Sequence, residues 1–240
     1  MDSGGYIALS RQAGLAREMQ AVANNIANIS TTGFRREGMI FAEMMEAAPV
    51  EGGAIAMTAA RVRFTDPAQG GLTQTGAPFD LAIEGDGFLM VETPAGLRLT
   101  RAGAFSPNAE GELVNGLGHR LLDAGEAAVL VPPGAAIAVA PDGTMTADGQ
   151  PLAQIGIVDV SIPDALFRED GVVFRPDAPL VPVANPGIKQ GFLEGSNVNA
   201  VVEIARMIEV QRSYEAGQAL QEREDERMST ATRTLGRTPQ

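Results

Sequence analysis

Cysteine and tryptophan are absent from the 240-residue sequence, and histidine occurs only once, as His119. The lack of cysteine excludes disulfides, thiolate zinc sites and thiol nucleophiles in this sequence. One histidine cannot supply the pair or triad that metal binding and base catalysis commonly use. His119 follows the turn Gly116-Leu-Gly118, where we expect a surface position. We therefore predict no metal site and no cofactor.

Positive charge is also scarce, because 18 lysine and arginine residues face 30 aspartate and glutamate residues, a net charge of −12. Residues 41–190 alone carry 8 basic and 19 acidic side chains, a net charge of −11. Nucleic acids require a basic footprint on the proteins that bind their phosphates. The acidic body of the chain therefore argues against nucleic acid as a partner.

Long apolar runs are missing as well. No stretch approaches the roughly 18 apolar residues that a membrane-spanning helix needs. Asp2 stands where a signal peptide is basic, and Arg11, Arg17 and Glu18 interrupt any apolar region behind it. We expect no membrane insertion and no cleaved signal, so the chain either stays in the cytoplasm or leaves by a route that cleaves nothing.

The acidic residues of the middle of the chain do not form a recognisable catalytic or metal-binding motif. Asp86, Asp142 and Asp148 each precede a glycine, which is typical of hairpin turns. They lack the spacing of a calcium-binding loop, and neither a nucleophile elbow nor a phosphate-binding loop occurs elsewhere. We interpret these carboxylates as turn residues.

The N-terminal region predicts a helix over residues 5–30. Its apolar residues recur at spacings of 4-3-4-3, which is a heptad seam: Leu15, Met19, Val22, Ile26 and Ile29. Asn24, Asn25 and Asn28 lie within the last turns, although asparagine is a mediocre helix former. Two interpretations stay open from this pattern. The helix is either an ordinary amphipathic core helix or an assembly helix whose asparagines fix the register against partner helices.

The end of this helix is abrupt. Ser30, Thr31 and Thr32 favour side-chain hydrogen bonds to the backbone, and Gly33 can adopt the left-handed conformation that ends a helix. We expect Phe34 to anchor the emerging chain. The segment Thr31–Phe34 would then bend the chain from the helix into an outer layer, and Gly33→Val should block that bend.

The middle of the chain predicts β structure. We expect a linker over 37–60, with a loop at 49–53, and a β domain over 61–189. Short apolar runs alternate with turn signals such as Thr93-Pro-Ala-Gly96 and Pro141-Asp-Gly143. Turns repeating every 8 to 15 residues or so favour an all-β sandwich or barrel.

A second helix is predicted from Val198 to Leu235, capped by Ser196 or Asn197. It has its own heptad seam, which weakens at Gln221 and Glu224, and a neighbouring apolar stripe at its start. The seam consists of Met207, Val210, Tyr214, Gly217, Gln221, Glu224, Met228, Ala231 and Leu235, and the stripe of Val201, Ile204, Ala205 and Ile208.

These elements predict an α+β fold. Long N- and C-terminal helices would pair as a coiled-coil-like layer, formed by residues 1–36 and 190–240, and the segment between them would form a central all-β domain, a sandwich or barrel. Isolated amphipathic helices are marginal in water, so the two termini need each other or copies of each other to bury their seams. This need favours the assembly interpretation of the N-terminal helix.

Motifs along the whole chain resemble those of the bacterial flagellar rod and hook proteins. Ala23-Asn-Asn-Ile-Ala-Asn-Ile-Ser-Thr-Thr-Gly-Phe34 fits that family's A-N-N-[IL]-A-N-x-x-T-x-G-[FY] element at every position. Asp80-Leu-Ala-Ile-Glu-Gly-Asp-Gly-Phe88 and Leu99-Thr-Arg-Ala-Gly-Ala-Phe105 resemble its central β-domain motif. Gly191-Phe-Leu-Glu-Gly-Ser-Asn-Val-Asn199 and Met207-Ile-Glu-Val-Gln-Arg-Ser-Tyr-Glu215 resemble its C-terminal motif. One departure is Gly217, where the family usually has asparagine.

The resemblance implies a structural subunit without catalytic activity, located in the rod of the flagellar basal body. Its partners would be itself and other proximal and distal rod subunits in a helical assembly, together with the flagellar type III export apparatus. The start of the chain and the short β body look most like the proximal rod proteins, and a distal rod protein is the alternative. A periplasmic β-domain enzyme or sugar-binding module with helical arms is the alternative from another class.

The resemblance also predicts which residues assemble. The seam of the first helix would pack on Met207, Val210 and Tyr214 of the same chain. Neighbouring subunits would satisfy the three asparagines, so Asn25→Leu should disturb assembly more than folding. The full set of candidate interface residues is Leu15, Met19, Val22, Asn24, Asn25, Ile26, Asn28, Ile29, Thr32, Gly33, Phe34, Asn197, Val201, Ile204, Met207, Ile208, Val210, Gln211 and Tyr214.

Overall fold

A computed structural model describes residues 3–47, 54–162 and 165–235, and the surroundings of side chains at 9–40, 64–162, 165–230 and 233. The described residues form two compact units. The helical unit comprises 3–27, 37–47, 54–64 and 199–235, and the β unit comprises 28–36, 65–162 and 165–198. The division expected from the sequence differs, because it placed 28–36 and 190–198 with the helices.

The helical unit contains helix α1 (Ser3–Ala27), helix α2 (Ala200–Leu235) and a pair of strands, β1 (Glu37–Ala47) and β2 (Ala54–Thr65). α1 contacts both α2 and β1, and β1 pairs with β2. The segment expected to be a linker, 37–60, therefore holds β1 and part of β2. The loop expected at 49–53 lies outside the described residues.

The first helix ends earlier than expected, at Ala27 rather than at residue 30. A turn follows in which the backbone N–H of Thr31 donates to the carbonyl of Asn28 at 3.1 Å, and the Thr31 hydroxyl donates to Asn28 Oδ1 at 3.0 Å. These bonds replace the helical ones, as expected for threonine and asparagine. Ile29, the last residue of the predicted seam, consequently lies beyond the helix.

The second helix begins at Ala200, and its cap is Asn199 rather than Ser196 or Asn197. Asn199 Oδ1 accepts hydrogen bonds from the N–H groups of Val201 and Val202, at 3.0 and 3.2 Å. The Asn199 carbonyl accepts the first helical bond from Glu203. This arrangement is that of an N-cap residue, which satisfies donors that the first helical turn leaves free.

The β unit confirms the expected β-rich middle. Its strands are short and all pairings among them are antiparallel. They are Leu72–Gln74 (β3), Leu81–Ile83 (β4), Phe88–Thr93 (β5), Gly96–Thr100 (β6), Phe105–Pro107 (β7), Leu113–Asn115 (β8), Arg120–Leu121 (β9), Ile137–Val139 (β10), Thr144–Ala147 (β11), Gln150–Gln154 (β12), Ile157–Val160 (β13), Leu166–Asp170 (β14), Val173–Pro176 (β15), Leu180–Pro182 (β16), Ile188–Gln190 (β17) and Phe192–Glu194 (β18).

Four sheets make up the β unit. The largest runs β14-β15-β6-β5-β9-β8-β7, with β13 pairing with β5 and β16 pairing with β13. The others are β10-β11-β12, β17-β4 and β18-β3. None of the sheets closes on itself, so the β domain is a set of open sheets and the barrel alternative is wrong. The order of the strands explains this, because closure requires the two edge strands of one sheet to pair.

Two apolar clusters fill the β unit. One gathers around Leu81, Val91, Leu113 and Ile155, and the other around Leu99 and Phe174. The pairings β18-β3 and β17-β4 attach the chain just before α2 to strands near the start of the unit. This attachment brings the C-terminal motif (Gly191–Asn199) beside the residues that follow α1.

Candidate functional site

Asn25 lies in the last turn of α1 and is fully buried, with 0% of its surface exposed. Its Oδ1 accepts the N–H of Glu37 at 2.8 Å, and its Nδ2 donates to the Glu37 carbonyl at 2.8 Å. The same Nδ2 donates to the carboxylate of Glu203 at 3.1 Å. The side chain therefore pairs with the backbone at the start of β1 and joins it to α2.

The bonds of Asn25 correct the expectation that a neighbouring subunit satisfies this residue. A primary amide has two N–H donors and one carbonyl acceptor, and all of them are used within the chain. The other two asparagines also have partners here. Asn24 Nδ2 lies 3.5 Å from a carboxylate oxygen of Glu37, and Asn28 accepts the Thr31 hydroxyl in the β unit.

The two helices lie antiparallel within the helical unit. Gln12 donates to the carbonyl of Tyr214 at 3.1 Å, whereas Asn25, thirteen residues later, bonds Glu203 at the start of α2. Between them Arg206 Nε donates to the carboxylate of Glu18 at 2.7 Å. Polar contacts thus join residues 12–25 of α1 to the first half of α2, from residue 203 to residue 214.

Gly217 of α2 lies against the side chain of Gln12 in α1. A Cβ at this position would lie 2.6 Å from Nε2 of Gln12, which donates to the carbonyl one turn earlier in α2. The departure from the usual asparagine therefore leaves room for the side chain of Gln12. Since only the flexible end of Gln12 occupies that space, a larger residue at position 217 would require that side chain to move.

Burial separates the predicted seam residues into three groups. Val22 and Val210 are buried, and Leu15, Met19, Ile26, Met207 and Tyr214 are half-buried. The apolar stripe of α2 is exposed, with 77% of Val201, 51% of Ile204 and 46% of Ile208 accessible, and Gln211 is exposed too. The most buried face of α1 also contains residues outside the predicted seam, namely Gly14, Glu18, Ala21 and Asn25.

The turn after α1 depends on Gly33, which has a φ of +70°. Its N–H donates to the carbonyl of Glu194 at 2.7 Å. A Cβ at this position would lie 2.3 Å from the backbone N of Ala102 and 2.4 Å from the carbonyl carbon of Arg101. Only glycine satisfies both the left-handed conformation and this close approach of two backbones.

Phe34 is fully buried, as expected of an anchor. The guanidinium of Arg168 lies 4.4 Å from the Phe34 ring centre and 4.7 Å from that of Phe174. Arg168 also donates to the carbonyl of Arg35. The anchor therefore combines apolar burial with a cation–π contact between two rings.

Asn197 fixes the other side of the same turn. Its Oδ1 accepts the N–H of Arg36 at 2.6 Å, and its Nδ2 donates to the carbonyls of Asp66 and Ala68 at 3.3 and 2.8 Å. The N–H of Asn197 donates to the carbonyl of Phe34 at 3.3 Å. Asn197 is thus bonded inside the β unit, and Ile29 and Thr32 nearby are half-buried.

Glu194 is a buried carboxylate, 1% exposed, that holds two buried arginines. Its Oε1 lies 3.0 Å from a guanidinium nitrogen of Arg35, and its Oε2 lies 3.1 Å from one of Arg101. The backbone N–H of Gly70 also donates to it at 3.0 Å. We call Glu194, Arg35 and Arg101 the buried ion triad, which joins the turn after α1, β18 and the end of β6.

Burial and the charge of Arg101 lower the pKa of Arg35 to about 10, against the opposing attraction of Glu194, Asp66 and Asp86. Burial likewise lowers the pKa of Arg101, again opposed by Glu194. A pKa of about 10 keeps Arg35 protonated at neutral pH. One carboxylate therefore faces two positive charges inside the β unit, which makes Glu194 essential to their burial.

Sequence reasoning missed the partners of the motif residues. Glu203, Arg101 and Arg168 were not among the candidates, and Glu194 was noted only as part of the C-terminal motif. Charged residues are ordinarily on the surface, so their types alone gave no signal. An available signal for Glu194 was its position in a strand-like run between two glycines, Gly191 and Gly195.

The described residues hold no group of three or more potential ligands that could bind a metal ion. Neither helix within them is long and apolar enough to cross a membrane. An open groove of about 600 Å³ in the β unit is lined mainly by prolines, Phe79, Val131 and Ile137. Its one ionisable lining residue is Glu110, so the groove lacks the paired groups that acid–base catalysis uses.

Three family models match the chain in order. Residues 6–35 match "Flagella basal body rod protein", and residues 82–173 match "Flagellar hook protein FlgE/F/G D1 domain". Residues 189–234 match "Flagellar basal body rod FlgEFG protein C-terminal". The first and third matches contain the turn after α1 and the C-terminal motif that the structure joins in the β unit.

Several curated proteins are similar over nearly their whole length. The flagellar basal-body rod protein FlgF of Caulobacter vibrioides is 38% identical over 249 residues, covering 99% of this chain and 99% of the relative. FlgF of Mesorhizobium japonicum is 37% identical over 235 residues, covering 96% and 97%. FlgG of Bacillus subtilis, also a flagellar basal-body rod protein, is 31% identical over 252 residues, covering 92% and 94%.

Proposed function

The chain belongs to the flagellar basal-body rod protein family, and we propose that it is a structural subunit of the proximal rod. In this role it polymerises into the hollow axial shaft that crosses the periplasm and transmits torque towards the hook. The family resemblance that the residues predicted is confirmed, and so is the location in the basal body. Identities of 37% and 38% to FlgF proteins, against 31% to a FlgG protein, favour the proximal position over the distal one.

The observation that carries the proposal is the exposed apolar stripe of α2. Val201, Ile204 and Ile208 lie one or two turns apart on one face of the helix and are 46–77% exposed. Monomeric proteins rarely expose contiguous apolar patches without a function, and such patches often mark protein–protein contacts. A subunit whose terminal helix keeps an apolar face for its neighbours accounts for this exposure.

In the proposed assembly, α1 and α2 form a coiled-coil-like layer within each subunit. Val22 and Val210 contribute to the buried side of that pair, and the half-buried seam residues Leu15, Met19 and Ile26 border it. Other rod subunits and further copies of the chain are the partners, and the type III export apparatus delivers the chain.

We propose further that the protein catalyses no reaction. The polar groups of the candidate site serve structural bonds, since Asn25 holds the start of β1 and Glu194 holds two arginines. Groups that are fully committed in this way cannot also bind and activate a substrate. We infer that its role is mechanical, and that load passes through the packed helices.

Deleting the gene in its flagellated host tests the proposal, with motility and flagellar number as the measurements. The account predicts loss of flagella and motility, and restoration of both by the full-length chain. A second arm expresses the chain without α1 and α2, which should fail to restore motility. Restoration by that truncated chain, or normal flagellation of the deletion strain, would overturn the proposal in favour of an enzyme or binding module.

A further inference from the structure

Three neighbouring turns of the β unit have the same construction. Each begins with an asparagine or aspartate, Asn108, Asn115 or Asp123, whose Oδ1 accepts the backbone N–H groups two and four residues ahead at 2.8–3.0 Å. The residue three positions ahead has a positive φ in each turn, between +63° and +85°. A side chain that bonds the backbone ahead of it in this way fixes its own turn. The three turns can therefore be compared position by position.

The turn at Asn115 differs from the other two in its chemistry. Asn115 is followed by Gly116, and it is the only asparagine in the sequence that precedes a glycine. Its Nδ2 lies 3.5 Å from Nδ1 of His119, the only histidine. At Asn108 the next residue is an alanine, and Nδ2 donates to the carboxylate of Glu112 at 3.0 Å. Asn115 alone thus combines a following glycine with an imidazole beside its amide nitrogen.

We propose that Asn115 is a site of intramolecular deamidation, in which the backbone nitrogen of Gly116 displaces the side-chain amide nitrogen. The N–H proton of Gly116 passes to hydroxide, a bond forms from its nitrogen to Cγ of Asn115, and the Cγ–Nδ2 bond breaks. Nδ2 leaves as ammonia after taking a proton from His119, which regains one from water. The resulting succinimide adds one water molecule and opens to aspartate or isoaspartate. This single change of the chain itself does not depend on the proposed rod role.

The bonds of Asn115 favour the attacking step. Because Oδ1 reaches the N–H groups of Leu117 and His119, the side chain lies folded over the turn that contains the nitrogen of Gly116. Negative charge develops on Oδ1 when this nitrogen adds to Cγ, and the same two N–H groups are in place to stabilise it. Gly116 is exposed, and no described atom outside its chain neighbours lies within 4 Å of where a Cβ would be. Hydroxide can therefore reach its N–H group.

His119 favours the departure of the amide nitrogen. This nitrogen leaves as ammonia only once it is protonated, and histidine is the side chain that gives and takes protons near neutral pH. At the equivalent position of the preceding turn, hydrogen bonds from Asn108 and Arg120 hold the pKa of Glu112 below its ordinary value. That carboxylate therefore has no proton to give at neutral pH. Of the two asparagine turns, only the one at Asn115 has a proton donor.

Asp123 shows how the turn accommodates the product. Its carboxylate oxygen accepts the same two N–H groups that an asparagine oxygen accepts in the other turns. Aspartate at position 115 therefore keeps the turn and adds one negative charge to the acidic β unit. Isoaspartate instead adds a carbon atom to the backbone, which displaces the bond from the Asn115 N–H to the His119 carbonyl. The first product changes the charge of the subunit, and the second alters the hairpin of β8 and β9.

Mass spectrometry of the purified full chain provides the first test. Trypsin cleaves after Arg101 and Arg120, so the peptide 102–120 contains Asn115 together with Asn108 as an internal control. After storage of the folded protein at neutral pH, conversion of amide to acid should be at least about tenfold faster at Asn115 than at Asn108. Equal rates at the two positions, or no conversion at Asn115, would overturn the proposal.

Two variants separate the effect of the glycine from that of the histidine. His119→Gln keeps the backbone N–H that bonds Oδ1 and removes the proton donor, so conversion at Asn115 in the folded chain should slow by about tenfold. Ala109→Gly gives Asn108 a following glycine without a histidine, and Asn108 should remain slower than Asn115 by a similar factor. In concentrated urea, where the turns are lost, His119→Gln should match the wild-type rate. An unchanged rate in folded His119→Gln, or the same slowing in urea, would overturn the proposal.

Discussion

Asn25 uses its one acceptor and both of its amide hydrogens on groups of its own chain. Two of the bonds imitate the pairing of a neighbouring strand with Glu37, and the third reaches Glu203 in α2. Three elements, α1, β1 and the distant α2, therefore meet at one side chain. A buried polar group of this kind stabilises the fold only while every partner remains present.

Asn25→Asp tests this role with almost no change in shape. Neither oxygen of the new carboxylate can donate to the Glu37 carbonyl, and its negative charge would face that of Glu203. We expect a loss of about 3–5 kcal/mol in the free energy of unfolding at pH 7, measured by chemical denaturation. Gln218→Glu, the same change of charge at an exposed position of α2, should cost less than about 0.5 kcal/mol.

The loss caused by Asn25→Asp should also depend on pH. The folded-state pKa of the new carboxyl would be raised above its unfolded value of about 3.9, because the charged form is desolvated and repelled. The penalty is then present above the folded pKa and declines as the pH falls towards about 4. A difference from wild type that stays constant between about pH 7 and pH 4 would contradict the assigned contacts.

Glu194→Gln removes the only carboxylate of the buried ion triad and leaves two buried guanidinium groups without their counter-charge. We expect a loss of about 3–5 kcal/mol in the free energy of unfolding of the β unit. Glu84→Gln is the control, because its ion pair with Lys189 is exposed and should be worth less than about 1 kcal/mol. Equal effects of the two substitutions would show that the burial of the triad is unimportant.

At the scale of single residues, the sequence predicted conformations better than partners. The left-handed Gly33 and the buried Phe34 follow from local chemistry, because glycine tolerates positive φ and phenylalanine favours burial. The burial of Glu194 and Glu203 does not follow from local chemistry, because a carboxylate is buried only when distant residues supply hydrogen-bond donors. The motif asparagine was noticed for its unusual position, but its bonds to β1 and α2 required the fold.

At the scale of elements, the turn after α1 connects the helix to the β unit in only a few residues. Its course is fixed by the bond from the Gly33 N–H to Glu194 and by the close approach of Gly33 to Ala102. The two bonds that Asn197 makes to Asp66 and Ala68 hold the segment before α2 in the same place. Both terminal motifs are therefore partly elements of the β unit.

Gly33→Ala should destabilise the protein by more than the conformational cost of placing alanine at a positive φ. Gly76 has a similar φ of +74° with open space around it, so Gly76→Ala isolates the conformational cost at about 1–2 kcal/mol. Gly33→Ala adds a clash with the backbone of Ala102, and we expect a total of about 3 kcal/mol or more. Thermal unfolding of both variants measures the difference. Equal losses would mean that the backbone approach is not constrained.

The two helices were predictable as elements because their periodicity extends over many turns, but their limits were not. α1 stops at Ala27 since a local turn competes with the helix, and α2 starts after the cap Asn199. The sequence predicted a linker where the structure has the strands β1 and β2. Each of these strands is paired with the other, and neither has a strong local sequence pattern that would identify it alone. Open sheets were likewise not separable from a closed barrel by strand spacing alone.

At the scale of the whole molecule, the family was predictable from the sequence because its motifs occur in order along the chain. The paired terminal helices and the β-rich middle followed from periodicity and turn chemistry. The assignment of 28–36 and 190–198 to the β unit could not be predicted in this way, because it results from long-range pairings such as that of β18 with β3. Residues that were expected to contact neighbours, among them Asn25 and Asn197, stabilise the subunit itself.

A building block of the proximal rod must occupy a defined position in the intact basal body, and that position can be measured. We would purify basal bodies from a strain carrying an epitope-tagged copy and locate the tag by electron cryomicroscopy with a bound antibody fragment. We expect density for the antibody fragment at the end of the rod nearest the motor. Purified basal bodies with complete rods that lack the tagged chain, or a tag confined to the distal rod, would contradict it.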